Sequence, residues 1–106
     1  MNTFHNKYDP FESLIFEEGL KIKSLEMDAS NNKMIIHLNG DLLLVAPIDF
    51  FAGLKKANAS QLKNFKIIGS ASGIHWPELD EDLSLKGFLK EYLRQRLQKE
   101  SHLTIS

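Results

Sequence analysis

Two apolar runs, Met34 to Leu38 and Leu42 to Ala46, are separated by little more than Asn39-Gly40, and this feature most narrows what the chain can fold into. Asn and Gly take positive φ at the lowest cost, and a two-residue hairpin turn requires positive φ at both central positions. The pair therefore predicts an antiparallel hairpin. Upstream, Leu20, Ile22 and Ser24 alternate with Lys21 and Lys23, and Leu25 and Met27 then alternate with Glu26 and Asp28, which is the period of a half-buried strand. Ala29-Ser30-Asn31-Asn32 makes the turn into a strand from Lys33 to Leu38, because Asn tolerates a left-handed backbone. The first half of the chain thus reads as a three-stranded antiparallel meander.

Pro47 cannot donate to a ladder and ends the third strand, so Ile48 to Leu54 reads as a short helix or turn beneath the sheet. Ser60 is a candidate cap for a further turn into Gln61 and Leu62. Phe65 to Gly69 has the β-branched density of a strand, and Ser70-Ala71-Ser72-Gly73 turns it back into Ile74-His75-Trp76, a second hairpin. Beyond Pro77, Leu85, Phe88, Leu89, Tyr92, Leu93 and Leu97 recur at three- and four-residue spacing, while Lys86, Lys90, Glu91, Arg94 and Gln98 occupy the opposite face. This spacing predicts an amphipathic helix of about four turns. Asp82 or Ser84 is its candidate cap, with Glu81 and Asp82 at the positive end of the helix dipole and Arg94, Arg96 and Lys99 near the negative end.

The expected fold class is α+β: an antiparallel three-stranded meander, a short helical connection, a second β-hairpin and a long C-terminal amphipathic helix. Residues 20–99 form the single domain, 1–19 an N-terminal arm, and 100–106 a frayed end. In the arm, Phe11, Leu14 and Ile15 fit one helical face after Pro10, and such a face needs a partner surface on the domain or on a second chain. Phe4, Tyr8, Phe11 and Phe16 are its candidate docking side chains.

A chain of 106 residues buries one core. With 13 basic and 14 acidic side chains, its net charge of −1 supplies no field that would draw it onto phosphate backbones or anionic lipid, so nucleic acid is disfavoured as a partner. The first residues lack the basic start and apolar run of a secretory signal. No segment approaches the roughly 18 apolar residues of a membrane span. The absence of cysteine rules out disulfides and thiolate zinc sites and suits a reducing compartment, so the expected location is the cytoplasm.

The densest run of reactive side chains is Gly73-Ile74-His75-Trp76-Pro77-Glu78-Leu79-Asp80-Glu81-Asp82-Leu83-Ser84. His75, Glu78, Asp80, Glu81 and Asp82 could supply ligands to Mg²⁺ or Ca²⁺, but their spacing is not that of a calcium loop. His75 could act as a base oriented by Asp80 or Asp82, with Ser70, Ser72 or Ser84 as nucleophile, yet no Gly-x-Ser-x-Gly elbow accompanies them. The competing reading is structural: Trp76 anchors the sheet, Pro77 stops the strand, and the carboxylates and Ser84 open the helix. Gly69 to Gly73 lacks the Lys-Ser/Thr ending of a phosphate cradle and reads as a turn. Lys86, Lys90 and Arg94 lie along one side of the helix and could meet phosphates or an acidic partner, or could be a solvated face.

Phe50, Leu54, Ala57, Ser60, Leu62 and Phe65, followed by the Gly73 to Ser84 run, resemble the bacterial family catalogued as domain of unknown function 2442. The resemblance covers roughly Leu20 to Leu89. It implies a small α+β fold with no established reaction, and many members sit in gene pairs with another small protein, an arrangement suggestive of toxin and antitoxin. Some relatives carry a helix-turn-helix domain after the signature, for which this chain leaves too little length. The leading expectation is a non-enzymatic protein-interaction domain, an antitoxin-like partner of a small cognate protein that also self-associates, with no cofactor, metal or catalytic residue. Its expected contact residues are Lys86, Lys90, Arg94, Phe11 and Phe16; His75, Trp76, Pro77, Asp80, Asp82 and Ser84 form the structural signature. The alternatives are a nucleic-acid-associated regulator using the basic face of the helix and a metal-dependent enzyme at His75 and the acidic cluster.

Overall fold

The computed structural model describes residues 7–105, with side-chain environments through residue 98. The expected contact at Phe4 lies outside the described residues. Strands β1 (Ile22–Asp28), β2 (Lys33–Leu38) and β3 (Leu43–Pro47) form an antiparallel sheet in that order. The alternation of β1 changes phase because the ladder slips between Ile22 and Ser24: Ile22 faces Leu38, Ser24 faces His37, and the buried side chains become Ile22, Leu25 and Met27. Met34, Ile36 and Leu38 of β2 and Ala46 of β3 complete the buried face.

Asn32 closes the first turn in the left-handed region with φ of 53°. At the second turn the left-handed residues are Gly40 and Asp41, with φ of 71° and 58°. Asn39 has a different task. Its side chain accepts from the Lys21 amide at 3.0 Å and donates to the Gly19 carbonyl at 2.7 Å, fastening the hairpin to the segment entering β1.

In the N-terminal segment, α1 (Pro10–Glu12) runs into a π-helical turn at Ser13–Glu17, and after a 3₁₀ turn at Ile48–Phe50 the chain forms α2 (Ala59–Lys63). Asn58 rather than Ser60 caps α2, accepting from the Gln61 amide at 2.8 Å while the Gln61 side chain accepts from the Asn58 amide at 3.0 Å. A second antiparallel sheet follows, β4 (Lys66–Ile68), β5 (Gly73–Trp76) and β6 (Glu81–Ser84), so the expected hairpin is joined by a third strand. Helix α3 (Leu85–Ile105) runs beyond the four turns implied by its apolar spacing.

The Gly69 to Ser72 turn joins these parts. Gly69, Ser70 and Ala71 all have positive φ, at 60°, 56° and 66°. The Ala71 carbonyl accepts from the Ile22 amide of β1 at 2.8 Å, and the Ser72 carbonyl accepts from the first amide of α3, Leu85, at 2.7 Å. One turn thus links the first sheet, the second sheet and the helix start. Between them lies the core of Ile48, Phe51, Leu54, Leu62, Ile74, Trp76, Leu85 and Phe88, joined by Ile15 from the N-terminal segment.

Candidate functional site

Cross-strand neighbours in an antiparallel pair share a face. The register of β5 and β6 pairs Ile74 with Leu83, His75 with Asp82 and Trp76 with Glu81. Because Ile74 and Trp76 are buried, Leu83 and Glu81 project from the core face, and His75 and Asp82 from the outer face. Trp76 is fully buried, and its indole N–H donates to the Leu62 carbonyl of α2 at 3.0 Å. Its anchor is therefore α2 rather than a ligand.

His75 Nδ1 lies 2.6 Å from Asp82 Oδ1, the orientation expected of a base and its carboxylate. Asp82 is thus bound to His75 and does not cap α3. The cap is Ser84, whose Oγ accepts from the Gly87 amide at 2.9 Å. Ser72 Oγ donates to the Gly69 carbonyl at 2.5 Å, so neither hydroxyl is hydrogen-bonded to the imidazole. The Asp82 side chain is 69% exposed, and solvent weakens what the pair can do electrostatically. Pro77 and Asp80 form the intervening turn, where Asp80 takes φ of 49°. The Glu78 carboxylate accepts from Asn64 Nδ2 at 2.8 Å. Among the described residues, no group of three or more His, Asp or Glu side chains is placed to hold a metal ion.

The cations of α3 are largely engaged within the chain. Lys86 Nζ lies 2.6 Å from Asp9 and 2.8 Å from Glu12, so the N-terminal segment packs on the domain's own helix. Hydrogen bonding from the Lys86 ammonium holds both carboxyls below their ordinary values, and the two carboxylates raise the lysine in return. Arg94 is bridged to Glu91 at 2.5 Å, which lowers the Glu91 carboxyl with help from Gln95. Arg96 lies 5.7 Å from the Phe50 ring centroid and 5.2 Å from that of Tyr92. Lys90 is exposed.

Phe11 is partly buried, whereas Phe16 is 58% exposed beside the Tyr8 ring. Leu93 and Leu97, expected on the apolar face opposite Lys86 and Lys90, instead lie beside those lysines by helical spacing and are 44% and 65% exposed. Among the described residues of α3, Leu85 and Phe88 are buried and Leu89 and Tyr92 partly so, all in its first turns.

On another side of α3, Gly87, Glu91 and Arg94 face Glu81 and Leu83 of β6 and the Phe50 to Gly53 segment across an open cleft of about 390 Å³. Two phenylalanines and Leu83 give it apolar walls, and Glu81, Glu91 and Arg94 supply its charge.

A model of the family described as "Protein of unknown function (DUF2442)" matches residues 22–93. The chain belongs to this family. A crystal structure of a Rhodospirillum rubrum protein of unknown function is 31% identical, with a TM-score of 0.61 over 67% of this chain and 86% of that one. The solution structure of an uncharacterised Chromobacterium violaceum protein is 23% identical, with a TM-score of 0.63 over 82% of this chain and 83% of that one, and shows the same fold. No curated protein matches.

The DUF2442 match begins at the first residue of β1 and ends on α3 at Leu93, so it includes every wall of the cleft except Arg94. The sequence placed Glu81 in an acidic cluster at the positive end of the α3 dipole and Gly53 within the short helix or turn of Ile48 to Leu54, and it assigned Gly87 no role. Gly53 lies in the turn closed by the Leu54 amide donating to the Phe51 carbonyl at 2.9 Å, and nothing in the chain announces that residues 53 and 81 will touch. The DUF2442 description names no activity, and no helix among the described residues is long and apolar enough to cross a membrane.

Proposed function

We propose that this chain is a non-enzymatic, cytoplasmic protein-interaction domain whose partner docks on the distal part of α3. The observation that carries this reading is the exposure of Leu93 and Leu97 on a helix whose buried residues, among those described, lie in its first turns. Large apolar side chains repeated along one helical row are suited to a hydrophobic groove or a second helix. The engagement of Lys86 and Arg94 by carboxylates favours a protein partner over a phosphate backbone. The gene pairing implied by the family resemblance supports a finer reading, an antitoxin-like member of a two-gene system whose partner is a small cognate protein.

The test is co-expression with the neighbouring gene product followed by sizing chromatography. Co-elution that Leu93→Glu and Leu97→Glu abolish, with the circular dichroism spectrum unchanged, is expected. Separate elution of the two wild-type proteins would refute the reading.

A further inference from the structure

Glu81 is a carboxylate on the core face of a sheet. The register that pairs it with fully buried Trp76 leaves it no other side to project from, and it is only partly exposed. It also reaches a definite place. A Cβ built on Gly53 would lie 2.1 Å from Glu81 Cδ and 2.2 Å from Oε2, so the carboxyl group rests where only glycine leaves room. Among the described residues, no salt bridge and no side-chain hydrogen bond involves Glu81. The nearest candidate cation in the cleft, Arg94, is taken by Glu91 through both Nε and Nη2 at 3.2 and 2.5 Å. The Glu81 carboxylate is left facing solvent in the cleft, so a cation arriving from outside can pair with it without displacing a partner within the chain.

The surroundings specify what completes it. The cleft carries two carboxylates against one guanidinium, and its walls are the Phe50 and Phe51 rings and Leu83. A long side chain with an apolar stem and a cationic end matches both features. The mouth is open, so a free small molecule would leave much of its surface wet. A side chain already held by a docked protein loses little additional freedom on entering.

We propose that the cleft between Gly53, Glu81 and α3 receives one arginine side chain of the protein partner, with the guanidinium paired to Glu81 and the stem against Phe50, Phe51 and Leu83. This rests on the interaction reading but concerns a different face of α3 from Leu93 and Leu97.

The probe is N-acetyl-arginine amide, titrated into the full chain and followed by backbone amide NMR, with N-acetyl-citrulline amide as the neutral analogue of the same shape. Saturable shifts confined to Gly53, Glu81, Leu83 and Gly87 are expected with arginine and not with citrulline. Glu81→Gln is expected to weaken binding about tenfold, the loss of one charge-assisted pair. Gly53→Ala keeps the charge but displaces the carboxyl group, whose flexible end can move aside without unfolding the chain, and is expected to weaken binding as well. Equal response to citrulline, shifts elsewhere on the surface, or arginine binding indifferent to both variants would overturn the proposal. Because the probe needs no partner, its failure is separable from failed co-elution, which bears on the interaction reading alone.

Discussion

In the first sheet, strands of five to seven residues turn Ile22, Leu25, Met27, Met34, Ile36, Leu38 and Ala46 onto one buried face. In the second, strands of three or four residues bury only Gly73, Ile74 and Trp76, and every residue of β4 is exposed. Seven buried side chains share the work on one side; on the other it falls to Ile74, Trp76 and a few directed bonds, from the Trp76 indole to Leu62, from Ile22 to Ala71 and from Leu85 to Ser72. A sheet of the first kind tolerates the loss of any one member better than a sheet of the second kind.

The sharpest attack on that difference is Trp76→Ala, expected to cost about 3–5 kcal/mol in urea unfolding because it opens a large cavity and strands the Leu62 carbonyl. Ile36→Ala in the first sheet is expected to cost about 2–4 kcal/mol, and a larger loss there than at Trp76 would break the comparison. Ser84→Ala removes the cap of α3 and is expected to cost about 1 kcal/mol by the same measurement, while Asp82→Ala, which is not the cap, leaves stability nearly unchanged.

The smallest effect concerns the arm. Asp9 and Glu12 have carboxyls lowered in the folded state, so their contribution is complete above the ordinary carboxylate range and disappears as the pH falls through the depressed values. Thermal melts of wild type and Lys86→Met are therefore expected to differ at about pH 7 and to converge toward about pH 3. A constant difference across that range would show that Lys86 stabilises the arm through packing alone.

The meander was legible because β1 and β2 alternate, β3 is a short apolar run, and each turn carries Asn or Gly at a position needing positive φ. Even the phase slip of β1 is written in the succession of Ser24 and Leu25. Strand β6 was not legible for a specific reason: Glu81 occupies a core-facing position where an apolar residue would have continued the alternation with Leu83, so the segment resembles an acidic helix start. The cap at Asn58 carried a usable signal, since Asn and Gln three residues apart form a capping box. The cleft carried none, because its walls come from three stretches of chain that only the tertiary fold brings together.

The clamp of Lys86 on Asp9 and Glu12 ties positions more than seventy residues apart, 74 in the case of Glu12. Contacts of such long sequence separation require most of the chain to be ordered first. During synthesis, Asp9 and Glu12 emerge long before Lys86, so their clamp must wait until the helix is made. A contact that forms so late is also a natural early one to open, and amide exchange in the arm should run ahead of exchange in the meander.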